Sequence, residues 1–351
     1  MVKKIAFITG ISGQDGAYLA EFLLKKKYKV IGTDRRSSRN NLWRLRRLGI
    51  DKKITIEELE ISETFEIERL VRKYKKIDEF YNLAAQSYVA TSFNSPINTA
   101  NVTGLGVLRI LECLRTLSPK TKFYQASSSE MFGRVLEKSQ SERTPFNPQS
   151  PYAIAKVFGH YVTQNYRKSY NMYAVSGILF NHESPFRGEE FVTRKITHGL
   201  VAILNKDQKF VELGNLDSKR DWGYAKDYVE PIWKMMQKKK PEDYVISTGK
   251  TYSVRDFINV CTKFLKWKTK WTGKGINEKL INLENNKILV KINKNFYRPA
   301  EVNFLKGNSS KARKLLKWSP KTNLKKLVRI MMSDELKFYI KMPNNKKINS
   351  L

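Results

Sequence analysis

Residues 4–24 read "KIAFITGISGQDGAYLAEFLL". Ile5-Ala6-Phe7-Ile8-Thr9 is a short apolar run, the pattern of a strand buried on both faces of a parallel sheet. Ala17, Ala20 and Leu24 then recur at i, i+3, i+7, so a helix follows. Between the two lie Gly10, Gly13 and Gly16, in G-x-x-G-x-x-G spacing. Glycines let the chain turn tightly and bring backbone N–H groups against a pyrophosphate, beside the positive end of the helix dipole. Three spaced glycines alone say little; set between this strand and this helix, they predict a dinucleotide-binding turn spanning Gly10, Ile11, Ser12, Gly13, Gln14, Asp15 and Gly16.

Outward from that turn the pattern repeats. "KVIGTD" (29–34), "EFYNLAA" (79–85), "KFYQASS" (122–128) and "YAVSGILF" (173–180) are further strand-like runs, separated by helix-length segments. Strand–helix alternation implies parallel strands joined by crossovers, hence an α/β doubly wound parallel sheet of Rossmann type. From about residue 182 charged and Gly/Pro-rich loops take over ("NHESPFRGEE", "GNLDSKRDWG", "FYRPAE"), which suits ligand contact better than a core. The expected organisation is a dinucleotide domain over residues 1–180 with a returning segment at about 215–250. A smaller C-terminal substrate-binding domain takes residues 181–214 and 251–340, and residues 341–351 form a frayed polar tail.

The second strand ends in "TDRRSS" (33–38). An acid there favours NAD by holding a ribose 2′-hydroxyl, while arginine pairs with the 2′-phosphate of NADP. Arg35 and Arg36 with Ser37 and Ser38 make a phosphate clamp. With Asp34 facing away, that clamp predicts NADP.

The chain carries 66 Lys+Arg against 33 Asp+Glu, a formal charge of +33. The basic residues are scattered ("LLKKKYK", "VRKYKK", "QKKKPED", "KKLVR") and form no aromatic-interleaved stripe, so no specific nucleic-acid partner is expected. No apolar run reaches the roughly 18 residues of a membrane span. The opening "MVKKIAFITG" runs straight into a strand-like stretch with no cleavage-site pattern. Cys113 and Cys261 form neither a disulfide framework nor a metal site, which suits a reducing compartment. His160, His182 and His198 lack zinc-ligand spacing, so no metal is expected. The expected location is the cytoplasm.

Two further stretches carry chemistry. In "SPYAIAKVFGHYV" (150–162), Tyr152 and Lys156 are four apart on a predicted helix and project from one face. An ammonium near a phenol lowers the tyrosine pKa, so Tyr152 takes a hydroxyl proton as hydride leaves the same carbon. Lys156 also suits the nicotinamide ribose. In "YQASSSEMFG" (124–133), Ser128 supplies a hydroxyl and Glu130 a carboxylate. A simple alcohol dehydrogenase has no use for that carboxylate.

These stretches, together with "NLAAQSYVATSF", "GILFNHESP", "RGEEFVTRKIT", "LGNLDSKRDWGYAKDYVE" and "FYRPAEV", resemble the extended short-chain dehydrogenase/reductase superfamily. Within it the chain resembles the GDP-mannose 4,6-dehydratase family almost end to end. "NHESP" and "GNLDSKRDWG" are the narrowest matches. The resemblance implies that Tyr152 and Ser128 handle the carbon-4 hydroxyl during hydride transfer. Glu130 then removes the carbon-5 proton, the carbon-6 hydroxyl departs as water, and hydride returns to carbon 6. The product is GDP-4-keto-6-deoxymannose. An epimerase or dTDP-glucose dehydratase on the same scaffold is the alternative; Ser129, where the latter carries an acid, favours the mannose branch.

The resemblance further implies cofactor contacts from Leu83, Ala84, Ala85, Gln86 and Ser87, and from His182 and Arg187. For GDP-mannose it implies Ser87 and Glu130, then Asn181, Thr193 and Lys195, and finally Gly214, Lys219, Arg220, Arg298 and Glu301. It also implies a homodimer or homotetramer, with the catalytic helix in the interface and the "RRSS" loop reaching a neighbouring subunit. Departures from the family pattern are Ser128 in place of threonine, Phe186 in place of a second arginine, Asn98 in place of a tyrosine, Asp34, and the Lys/Asn-rich segment 270–295.

Overall fold

The computed structural model describes residues 3–38, 40–135, 137–297 and 300–341. Seven parallel strands form the central sheet: β1 (Ile5–Thr9), β2 (Lys29–Asp34), β3 (Thr55–Glu58), β4 (Glu79–Asn82), β5 (Lys122–Ser128), β6 (Ala174–Leu179) and β7 (Tyr244–Ile246), in spatial order β7-β6-β5-β4-β1-β2-β3. The expected doubly wound sheet is present. Two of its strands have no apolar run to mark them. β3 is the edge strand "TIEE", and β7 has only three residues, drawn in from far along the chain.

Helices cover both faces. On one, α1 (Gln14–Lys25) packs with a later helix (Ala225–Met236) through Ala17, Leu23, Tyr228 and Ile232. On the other, α2 (Thr64–Lys73), α3 (Gly106–Leu117) and α4 (Pro151–Ser169) bury Ile67, Ile110, Leu114 and Tyr166. With both faces covered the central strands are largely apolar; in β1, Ala6, Phe7 and Ile8 are all buried. Strand order reverses between β1 and β4, opening a crevice at their C-terminal ends where ligands of such sheets bind.

A second, smaller core lies C-terminal. The later helices are α5 (Val192–Leu204), α6 (the Ala225–Met236 helix that packs on α1), α7 (Val254–Phe264) and α8 (Leu324–Lys341). Of these α5, α7 and α8 pack on a four-stranded sheet of residues Thr269–Thr272, Lys279–Asn282, Ile288–Ile292 and Val211–Leu213. The Lys/Asn-rich segment thus folds into three strands of this sheet. A box at the start of α7, with Ser253 and Asp256 each accepting from the other's backbone N–H, fixes where that helix begins.

Asp221 joins the parts. Its buried carboxylate accepts from Thr248 N and Gly249 N at 2.8 Å and from Gly307 N at 3.2 Å. Burial pushes its pKa up, and the Thr248, Gly249 and Gly307 donors oppose the shift. Among the described residues no helix is long and apolar enough to cross a membrane. The proposed tail from residue 342 lies outside the described residues.

Candidate active site

A cleft of about 960 Å³ opens over the C-terminal ends of β1, β4 and β5 and runs to the C-terminal sheet. At its floor, Gly10 has φ +69°, and a Cβ there would lie 2.9 Å from Ala84 N. A Cβ on Gly16 would lie 2.4 Å from Gly10 O. Bare backbone is therefore required, and Gly10, Gly13, Gln14, Asp15 and Gly16 line the cleft as expected. Ile11 is fully buried and offers only backbone. Thr9 Oγ1 donates to Asn82 Oδ1 at 2.7 Å and accepts from Leu83 N and Ala84 N at 3.1 and 3.2 Å. Asn82 Nδ2 donates in turn to Gln125 Oε1 at 2.8 Å. This buried chain ties β1, β4 and β5 together where Leu83, Ala85 and Ser87 enter the cleft; Ala84 and Gln86 stay behind it.

Asp34 does not face away. Its Oδ1 accepts from Ser12 Oγ at 2.9 Å and from Arg35 N at 3.1 Å, so the carboxylate turns toward the glycine turn. Arg35, Arg36, Ser37 and Ser38 are exposed just beyond β2, outside the cleft lining. Sequence reading missed Arg44. Its Nη1 donates to Ser12 O at 2.9 Å and its Nε to Phe186 O at 2.8 Å, tying the turn to the segment after β6. Burial lowers its pKa to about 10. Phe186 itself stacks on Tyr18 at 4.8 Å and 7°, so the residue replacing the family's arginine is an apolar wedge.

One wall of the cleft is built from one strand end and one helix start. Ser150 caps α4 by accepting from Ala153 N at 3.1 Å, and Pro151 opens the first turn, which places Tyr152 at the mouth of the helix. Ser128 and Glu130 follow β5, with Glu130 N donating to Ser128 Oγ at 3.2 Å. Ser128, Glu130, Tyr152 and Lys156 all line the cleft, and Glu130 is 8% exposed. Tyr152 stands beside Ser128, whose hydroxyl favours the ionised phenol.

The expected lowering of the tyrosine pKa is corrected here. Burial dominates and pushes Tyr152 up to about 12; the Ser128 hydrogen bond works against this and the Glu130 charge adds to it. Lys156 does not touch the phenol oxygen. Its Nζ donates to Ala126 O at 2.7 Å and lies 5.8 Å from the Tyr152 ring centroid. Burial lowers Lys156 to about 8, and Asp15 opposes the shift.

His182 lies across the cleft. Its Nε2 meets Asp15 Oδ2 and its Nδ1 meets Phe180 O, both at 2.7 Å. Both ring nitrogens face acceptors, which suits the doubly protonated ring. Burial disfavours that charge, but Asp15 outweighs it and His182 is held above its ordinary value. Arg187 ion-pairs with the buried Glu183 at 3.2 Å and stacks on Phe191 at 3.6 Å.

The remaining expected ligand residues are divided. Asn181, Lys195, Gly214, Arg220 and Glu301 line the cleft. Lys195 Nζ lies 3.4 Å over the Phe296 ring, and a Cβ on Gly214 would strike Phe296 O at 2.5 Å. Arg220 is buried, with Nη2 at 3.4 Å from Glu301 Oε1. Thr193 is fully buried and donates to Glu183 Oε2 at 2.5 Å, behind the lining. Lys219 is exposed and outside the lining, its backbone pairing with Ser253. Asn98 is exposed too. Arg298 lies outside the described residues. Glu183, Phe296 and Tyr297 were not singled out by sequence, although "NHESP" and "FYRPAEV" contain them. Among the described residues no group of three or more His, Cys, Asp or Glu is placed to hold a metal ion.

Residues 7–331 match the family described as GDP-mannose 4,6 dehydratase. The chain is 47% identical to GDP-mannose 4,6 dehydratase of Drosophila melanogaster, covering 97% of this chain and 88% of that protein. It is 46% identical to GDP-mannose 4,6-dehydratase of Vibrio cholerae serotype O1, over 96% and 94%. A crystal structure of UDP-glucose 4-epimerase from Thermotoga maritima superposes with TM-score 0.79 over 96% of this chain and 99% of that one. At 21% identity that likeness speaks for the fold alone.

Proposed function

The chain belongs to the GDP-mannose 4,6-dehydratase family, and from that premise we propose that it is an NADP-dependent hydro-lyase converting GDP-D-mannose to GDP-4-keto-6-deoxy-D-mannose. This is the first step toward a GDP-deoxyhexose such as GDP-fucose or GDP-rhamnose. The observation that carries the reading is a carboxylate, Glu130, buried in the cleft beside Ser128 and Tyr152.

A dinucleotide suits the turn at Gly10–Gly16, whose tight path, with no room for a Cβ at Gly10 or Gly16, leaves bare backbone along the cleft floor. Arg35, Arg36, Ser37 and Ser38 are the groups proposed to take the 2′-phosphate of NADP; the exposed guanidiniums support that choice, and Asp34, though turned toward the glycine turn, already accepts from Ser12 Oγ and Arg35 N. When bound, the nicotinamide would supply reversible hydride chemistry, taking up the carbon-4 hydride and returning it at carbon 6. Tyr152 removes the carbon-4 hydroxyl proton, held in line by Ser128. A phenol at about 12 is a poor base carrier near neutrality, so the step depends on positive charge beside it; Lys156 is proposed to supply part of that charge and to hold the ribose. With carbon 4 oxidised to a ketone, the carbon-5 proton becomes acidic and Glu130 takes it. The carbon-6 to oxygen bond breaks, oxygen leaves with the electron pair, and the proton from carbon 5 completes the water. Carbon 6 then receives hydride and carbon 5 a proton, so atoms balance at the loss of one water.

His182 and Arg187 are proposed to brace the cofactor side of the cleft, with Asn181, Lys195, Gly214, Arg220, Arg298 and Glu301 around the GDP. Thr193 and Lys219 act from behind that shell. The proposed division assigns the cofactor to residues 1–180 with 215–250, and the sugar nucleotide largely to 181–214 and 251–340. Ile154, Phe158 and Tyr161, all exposed on α4, support a homodimer or homotetramer built on that helix. Two buried free cysteines support a cytoplasmic setting.

Mass-resolved incubation with NADP⁺ and either GDP-mannose or dTDP-glucose tests the assignment. The expected outcome is a product lighter by one water from GDP-mannose alone. Unchanged mass with the hexose isomerised would replace the reading with an epimerase, and water loss from dTDP-glucose alone would move it to the sister dehydratases.

A further inference from the structure

One face of α4 carries Tyr152, Lys156, His160 and Gln164 at successive i, i+4 positions. The first three each face a consecutive stretch of β5, and two of them bond to it. Tyr152 stands beside Ser128, whose hydroxyl favours the ionised phenol, Lys156 donates to Ala126 O, and His160 Nδ1 lies 2.9 Å from Ser127 Oγ. His160 is therefore the rung between catalytic helix and catalytic strand next to the two that the reaction uses. It is 2% exposed, with the Phe146 ring edge-on at 5.2 Å and the Tyr161 ring at 5.9 Å.

The neighbours decide its tautomer. Nε2 lies 3.0 Å from Gln164 Nε2, and that same amide nitrogen donates to Asp243 Oδ2 at 2.8 Å. An amide nitrogen only donates, so His160 Nε2 accepts, the proton sits on Nδ1, and Ser127 Oγ accepts it. Asp243 is anchored in turn by Arg167 and by Ser176 N at 3.0 Å. The charged groups facing the ring are Asp243, whose Oδ2 is 3.9 Å from Nε2, and Arg167. Protonating Nε2 would aim an N–H at an NH₂ group. Flipping the Gln164 amide to relieve that would turn its oxygen on the Asp243 carboxylate. Burial lowers the His160 pKa, Arg167 adds to the shift and Asp243 opposes it.

We propose that His160, as the neutral Nδ1–H tautomer, is a positioning residue that keeps Ser127 and hence Ser128 in register with Tyr152, and that its protonation in acid loosens that register. The inference rests on Ser128 and Tyr152 acting in the hydride step. Because the folded-state pKa is below the ordinary histidine value of about 6.5, folding opposes protonation. The expected acid limb in turnover therefore lies below that value.

The test compares wild type, H160F, H160N and Q164E in GDP-mannose turnover against pH, with thermal midpoints recorded alongside. H160F keeps a ring but loses the donor; kcat should fall about 10-fold with KM for GDP-mannose unchanged, the pattern of a misplaced reacting pair. H160N retains an N–H for Ser127 and cannot titrate, so it should stay within about 2-fold of wild type at neutral pH and lose the acid limb. Q164E offers an acceptor to the imidazolium and should move the limb upward by about one pH unit or more. Wild-type kcat in H160F, a loss in H160F that H160N does not recover, or an unmoved limb in Q164E would each overturn the inference. Should H160F fail to fold, the other two variants decide it. An inactive wild type would instead contradict the proposed function itself.

Discussion

On one wall of the cleft, Ser128, Glu130, Tyr152 and Lys156 come from a single strand end and the opening turns of a single helix. On the other wall, Arg187, Lys195, Arg220 and Glu301 come from four separate segments, each already engaged with a protein partner. Arg187 pairs with Glu183, Lys195 lies on Phe296, and Arg220 meets Glu301. The first wall is held by hydrogen bonds within and between sheet and helix: a Ser150 cap, a Lys156–Ala126 bond and the chain through Thr9, Asn82 and Gln125. The second is held by ion pairs and a cation–ring contact that a diphosphate or a nucleobase would have to replace. Under the proposed function, chemistry would be preset on the first wall and recognition would proceed on the second by exchange of partners.

That contrast sorts the expected effects. Tyr152→Phe removes the proton acceptor for carbon 4, and kcat should fall about 10²- to 10⁴-fold with KM for GDP-mannose nearly constant, read by steady-state assay. A comparable loss appearing in KM alone would mean that the first wall binds and does not react. Arg220→Ala, on the second wall, should do the reverse. Losing charge-assisted bonds to the diphosphate raises KM by about 10- to 100-fold, equivalent to about 1.5–3 kcal/mol, while kcat changes little. A fall in kcat without a change in KM would erase the distinction between the walls.

Legibility in the sequence follows the same divide. The glycine turn and the Tyr152/Lys156 spacing are local patterns, so strand, turn and helix could be placed directly from "ITGISGQDGAYLAEFLL" and "SPYAIAKVFGHYV". The sheet was legible for five of its strands through their apolar runs; β3, a polar edge, and β7, three residues long, needed their neighbours to be strands at all. Long-range partnerships were not legible. Nothing local shows Arg44 bridging Ser12 and Phe186, or Phe296 closing on Lys195 and Gly214. The direction of the Tyr152 shift was misjudged for a related reason. Sequence shows the lysine four residues away, but not that its ammonium goes to Ala126 O and leaves burial as the larger influence. Likewise the i, i+4 spacing was visible at His160, whereas Ser127 opposite it was not.

The central claim is that Glu130 removes the carbon-5 proton, and heavy water tests it most directly. Wild-type enzyme with GDP-mannose in D₂O should give a product that has lost one water and carries a single deuterium at carbon 5, by mass spectrometry and NMR. Glu130→Gln should still reduce the cofactor in a single turnover while losing neither water nor the carbon-5 proton, with product formation down by about 10²-fold or more. An E130Q enzyme that releases water and incorporates deuterium at the wild-type rate would contradict the account.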